Sequence, residues 1–141
     1  MVHIKTPARQ LAIQYLYMHD ILEGKEVQPL SDFLGAQAEP PNPSTIPFIR
    51  ELVEHVLRNT SELDKEIAEA ATNWKLSRMA TVDRNILRLG LAEMIACPET
   101  SHKVILDEAV ELARRFSSLE ACAFVNGILD KIKGHRRPQE S

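Results

Sequence analysis

The sequence predicts an all-α fold, a compact bundle of six to seven helices. Three observations carry this. Every periodic segment places its apolar residues at helical spacing, and none alternates as a strand does. Aromatic residues make up only 5% of the chain, so Leu, Ile, Val and Ala must build the core, which suits helix packing. Proline, glycine and small polar residues punctuate the segments, leaving mostly short turns.

Thr6-Pro7 opens the first helix. Thr is suited to capping free backbone N–H groups, and Pro fits the first helical position because its missing N–H had no partner there. Ala8, Leu11, Ala12, Tyr15, Leu16 and Leu22 form the inward line; Lys5, Arg9 and Gln14 fall on the other face, and Gly24 is the stop. Residues 27–34 predict a short second helix that Gly35 ends. Residues 36–44 hold three prolines in four positions and predict an exposed, mobile loop.

Thr45-Ile46-Pro47 repeats the opening device, and Ile49, Leu52, Val53, Val56 and Leu57 follow on one face. Asn59-Thr60-Ser61 breaks that helix, and Ser61 with Asp64 resembles a capping box. Leu63, Ile67, Ala70, Ala71 and Trp74 form the next line, with Trp74 read as a core plug. The stretch 81–95 is read as the central helix. Val82, Ile86 and Leu89 fall on one line and Leu87, Leu91, Met94 and Ile95 on another, so neighbours must cover it on several sides. Asp83, Arg84, Arg88 and Glu93 interrupt it, predicting one charged strip left open. Pro98 ends this helix by pushing Cys97 out of helical geometry. The next helix turns Val104, Ile105, Ala109, Leu112, Ala113 and Phe116 inward. After the Ser117-Ser118 turn, Cys122, Val125, Ile128, Leu129 and Ile132 line the last. Residues 134–141 read as a flexible tail.

The chain is long enough for one domain with a real core. No apolar run approaches bilayer length, and two separated cysteines fit a reduced, cytoplasmic interior. A net charge of −3 argues against indiscriminate nucleic-acid binding, yet charge is uneven: residues 1–19 hold Lys5 and Arg9 and no acid. The five histidines do not pair at ligand spacing, and no phosphate loop, HExxH or CxxC occurs, so neither metal, cofactor nor catalysis is expected.

Gly127 sits inside the last helix, where it costs about 1 kcal/mol against Ala. Close approach of a neighbouring helix or of a nucleic-acid backbone would offset that. Phe124 and Asn126 stand just before it, a pair suited to stacking on a base and hydrogen-bonding its edge.

These segments resemble the NusB transcription antitermination factors. Phe124-Val125-Asn126-Gly127-Ile128-Leu129-Asp130-Lys131 matches that family's C-terminal signature. Residues 103–113 look like its preceding helix, Asn85-Ile86-Leu87-Arg88-Leu89 with Glu93 like its central helix, and residues 8–17 like its first. The resemblance implies two helical subdomains, about 1–60 and 61–133. It implies binding of the boxA element of ribosomal RNA leaders together with the ribosomal protein NusE, within the RNA polymerase antitermination complex. Carried over by position, Lys5, Arg9, Phe124 and Asn126 would contact RNA, and Asp83, Arg88 and Glu93 the protein partner. The chain departs from the family pattern: many relatives have an arginine run where it has Lys5-Thr6-Pro7, some a Lys where it has Ala123, and some an aromatic where it has Ala92. Each lost phosphate contact lowers affinity and salt dependence. The alternative is a homodimeric interaction module with weak or lost RNA binding. Ribosomal RNA cytosine methyltransferases also carry a NusB-like domain at their N-terminus; on that reading the chain would be a fragment lacking the catalytic domain.

Overall fold

The computed structural model describes residues 2–72 and 76–140, with side chains from Ile4 onward. Seven α-helices and three short 3-10 turns make up the described residues, with no strand among them. The helices are α1 (Thr6–Ile21), α2 (Leu30–Gly35), α3 (Ile46–Arg58), α4 (Thr60–Ala70), α5 (Thr81–Ala96), α6 (His102–Phe116) and α7 (Leu119–Arg136). Helix α5 is central, as its double apolar line requires: it packs on α1, α3, α4, α6 and α7. Ile86, Leu87, Leu89 and Leu91 are fully enclosed and meet a core that includes Ile13, Leu16, Ile49, Leu52, Ile67, Ile105 and Leu129. Each such side chain contributes roughly 1.5–3 kcal/mol on burial.

Gly90 explains how α7 comes so close to α5. A Cβ there would meet Leu129 Cδ1 at 2.9 Å, so only glycine leaves the space that Leu129 fills. Helices α6 and α7 form a hairpin with Ser118 as N-cap, its hydroxyl accepting from Ala121 N–H at 3.0 Å. Ser101 likewise caps α6, accepting from Val104 N–H.

Several sequence expectations are corrected. Thr6 and Thr45 begin their segments but cap nothing: Thr6 Oγ1 donates to Glu108 and Thr45 Oγ1 to the Asn42 carbonyl. Ser61 and Asp64 form no capping box, because the N-cap position of α4 falls at Asn59, two residues earlier, and Asp64 binds Arg88 instead. Helix α1 ends at Ile21, and Gly24 takes the positive φ that completes the turn. Helix α4 ends at Ala70, and Trp74 lies outside the described residues. The proline segment lies beside α1, where Glu39, Pro40 and Pro41 face Gln10, Leu11 and Gln14 across an open groove.

Residues 134–140 are tied to the rest of the bundle. Helix α7 runs through Gly134 to Arg136, and Arg137 is buried. Its guanidinium donates to the Met94 carbonyl at 2.9 Å, the Cys97 carbonyl at 3.3 Å and the Thr100 carbonyl. These lie in and just beyond the last turn of α5, where carbonyls lack helical partners. Glu140 closes the clasp by accepting from His102 N–H at the start of α6.

Candidate nucleic-acid interface

Arg9 is not on an open face; it is 2% exposed. Its Nε donates to Glu93 at 2.8 Å and its terminal nitrogens to Glu93 at 2.5 Å and Glu108 at 2.7 Å. Glu93 lies on α5 and Glu108 on α6, so one guanidinium ties three helices. Burial alone would lower the Arg9 pKa, but hydrogen bonds and charge from Glu93 and then Glu108 outweigh it and hold the group above its ordinary value. Sequence periodicity misplaced Arg9 because it sees one helix at a time, and the carboxylates that satisfy this cation come from two others. Lys5, one turn earlier, is half-buried, with Nζ 4.7 Å from the centre of the Phe48 ring.

The charged strip of α5 is closed rather than open. Asp83, Arg88 and Glu93 are all buried. Arg88 forks onto Asp64 at 2.7 and 2.8 Å and reaches Asp20 at 3.1 Å, while Arg84 and Asn85 also donate to Asp20. Burial would raise the Asp20 pKa, but its hydrogen bonds from Arg84 and Asn85, with the charges of Arg84 and Arg88, take it below the usual carboxylate value. Arg9 on Glu93 and Asp20 on Arg84 fix α1 antiparallel to α5 at both ends. Asp83, near the start of α5, keeps one buried carboxylate oxygen without a hydrogen bond.

The open surface is on α7. At about 100° per residue, Phe124 and Asn126 project about 100° to either side of the buried Val125. Phe124 shares its flank with Lys131, which reaches the Ala70 carbonyl of α4. Asn126 shares its flank with Cys122, whose Sγ donates to the Val110 carbonyl of α6. Exposed Ala123, Gly127 and Asp130 lie between. The two residues therefore border a strip with a small-residue floor instead of standing side by side. Phe124 is half-buried, its ring packed against the core; Asn126 is exposed. Among the described residues, a Cβ on Gly127 would meet nothing within 4 Å, so no described helix explains that glycine.

Helix α7 packs on α4, α5 and α6, not along α1. The two ends of the chain are related through one turn of α6, whose Glu108 holds Thr6 and Arg9 while its Val110 carbonyl takes Cys122.

Sequence reasoning missed the outer face of α1. Gln10, Gln14, Tyr17 and Ile21 follow one another there without a charge, and Tyr17 and Ile21 are 44% and 53% exposed. The signal was legible: Tyr17 and Ile21 are four residues apart and off the inward line. Large apolar groups clustered on an exposed helix face mark a protein contact more often than scattered ones do.

Known proteins place this arrangement. The model of the NusB family matches residues 6–133. A transcription antitermination protein NusB of Sorangium cellulosum is 41% identical, over 91% of this chain and 90% of its own. That of Desulfatibacillum aliphaticivorans is 37% identical, over 94% and 92%. Among solved structures, T. maritima NusB superposes with a TM-score of 0.83 at 28% identity, covering 96% of this chain and 94% of that one. A structure of antitermination factors NusB and NusE in complex with double-stranded RNA matches at 0.82 and 26%, covering 96% and 99%. With nearly its whole length matched in sequence and in fold, the chain belongs to the NusB family.

Proposed function

We propose that the chain is a cytoplasmic transcription antitermination factor, without catalytic activity, that binds boxA-type single-stranded RNA together with the NusE ribosomal protein. The observation that carries this is the open strip of α7. A mid-helix glycine costs about 1 kcal/mol, and no packing among the described residues returns it at Gly127. A strand lying over Ala123 and Gly127 would have the Phe124 ring on one border for stacking and the Asn126 amide on the other for a base edge. The relatives' names support the antitermination role, and the solved assembly of NusB, NusE and double-stranded RNA supports RNA binding beside NusE.

The partner surface belongs on the outer face of α1, at Tyr17 and Ile21. In this reading Arg88 and Glu93 act from inside, holding α1 in register with α5, and Asp83 stands at the rim. The subdomains meet along α5, with α1 to α3 presenting the partner surface and α4 to α7 the RNA strip. The exposed Tyr17 and Ile21 also favour the alternative of a homodimer, which light scattering across protein concentration separates from a monomer awaiting its partner.

Titration of a boxA-type RNA into the chain with and without NusE tests the proposal. Phe124→Ala should cost about 1–3 kcal/mol of binding. Unchanged affinity for that variant in both titrations would count against the stacking role, and no binding by the wild-type chain with its partner would overturn the function.

A further inference from the structure

We propose that Phe48 is a positioning residue for RNA binding: its ring holds the Lys5 ammonium at the start of α1, and Lys5, not Arg9, contacts the phosphate backbone. This deepens the RNA-binding reading and rests on it. Phe48 lies on α3, with Lys5 Nζ 4.7 Å and Arg9 Cζ 5.3 Å from its ring centre. The two cations share the ring but differ in everything else. Arg9 is enclosed, with three of its nitrogens donating to Glu93 and Glu108. Turning it toward a phosphate would leave the buried Glu93 without its partner, so it is unavailable. Lys5 is half-exposed and makes no ion pair with any carboxylate among the described residues.

A lysine ammonium is a compact charge on a flexible four-carbon stem, and it samples many positions unless something holds it. The electron-rich face of an aromatic ring does so without neutralising it, whereas a carboxylate would cancel its attraction for phosphate. Thr6 and Arg9 place this corner on Glu108, and Cys122 places α7 on the carbonyl of Val110, two residues along α6. A helix with side chains is about 10–12 Å across, so a short strand leaving the α7 strip on its Asn126 border crosses α6 and arrives at Lys5.

The test measures binding of a boxA-type RNA oligonucleotide by fluorescence anisotropy, using the full chain with NusE, across a salt series. Lys5→Met should lower the slope of log K against log salt by about 0.7, the value for one phosphate contact on a single strand. Phe48→Leu keeps the charge and most of the apolar volume, and should weaken binding about two- to fivefold at low salt. The double variant should bind like Lys5→Met alone. Arg9→Met combined with Glu93→Met, which keeps the buried charges balanced, should leave the slope unchanged. An unaltered slope for Lys5→Met, a fall of about 0.7 for the Arg9–Glu93 pair, or full additivity of Phe48→Leu on Lys5→Met overturns the inference while leaving the function standing. Absence of wild-type binding overturns both. In the free chain, the Lys5 ε-methylene protons should show an upfield ring-current shift that Phe48→Leu abolishes. An unshifted wild-type signal also overturns the inference, independently of any RNA.

Discussion

Removing the Arg9 side chain is the sharpest test of the packing described above. Arg9 and Glu93 are each 2% exposed, and Arg9→Met would leave the Glu93 carboxylate enclosed with no cation beside it. Breaking a buried pair in this way costs about 3–5 kcal/mol, against about 0–1 kcal/mol for a surface pair. For a chain of this length that is a fall in Tm of roughly 10–20 °C. Adding Glu93→Met should recover most of the loss, because an apolar pair of similar volume removes both charges together. Urea unfolding of wild type, the single variant and the double variant measures all three. If Arg9→Met alone costs about 1 kcal/mol or less, Arg9 is a surface cation and the three-helix tie does not exist in solution.

Two glycines of α5 and α7 should respond in opposite directions. Gly127→Ala should stabilise the chain by roughly 1 kcal/mol, since its new methyl meets no described residue, while weakening RNA binding in the same anisotropy titration. Gly90→Ala should destabilise by about 1–2 kcal/mol in urea, because Leu129, itself fully buried, must shift from a 2.9 Å contact and the loss exceeds the gain in helix propensity. Arg137→Ala should cost about 2–3 kcal/mol and speed hydrogen exchange in the last turn of α5, since the carbonyls of Met94, Cys97 and Thr100 lose a charged donor. Acid unfolding should depend on Asp20 and Glu140. Both carboxyls have folded pKa values below the ordinary 3.8 and 4.5, that of Glu140 at about 2, so their stabilisation is complete above those ordinary values and is lost as pH falls through the folded ones. Circular dichroism of Asp20→Asn and Glu140→Gln between pH 5 and about pH 2 should show a shallower acid limb; an unchanged limb would mean that neither pair contributes.

Local structure is legible in the order of the residues. The helices, most of their boundaries, the central rank of α5 and its inward lines follow from apolar spacing and from Pro and Ser at the turns, because those signals act within one or two helical turns. The family followed from the order of four motifs. Gly127 also stands out in the sequence as a mid-helix glycine, although only packing shows that no described residue lies over it.

The tertiary structure alone decided the fate of the charged residues. Arg9, Arg88 and Glu93 read as surface groups because a charge is buried only when a partner meets it, and those partners lie 24 to 99 positions away along the chain. Arg137 read as tail for a related reason: beside the nearby Glu140, what orders it is three backbone carbonyls in and beyond the last turn of α5, which no side-chain pattern records. Periodicity tells which side of a helix is apolar; only packing tells which polar groups found each other there.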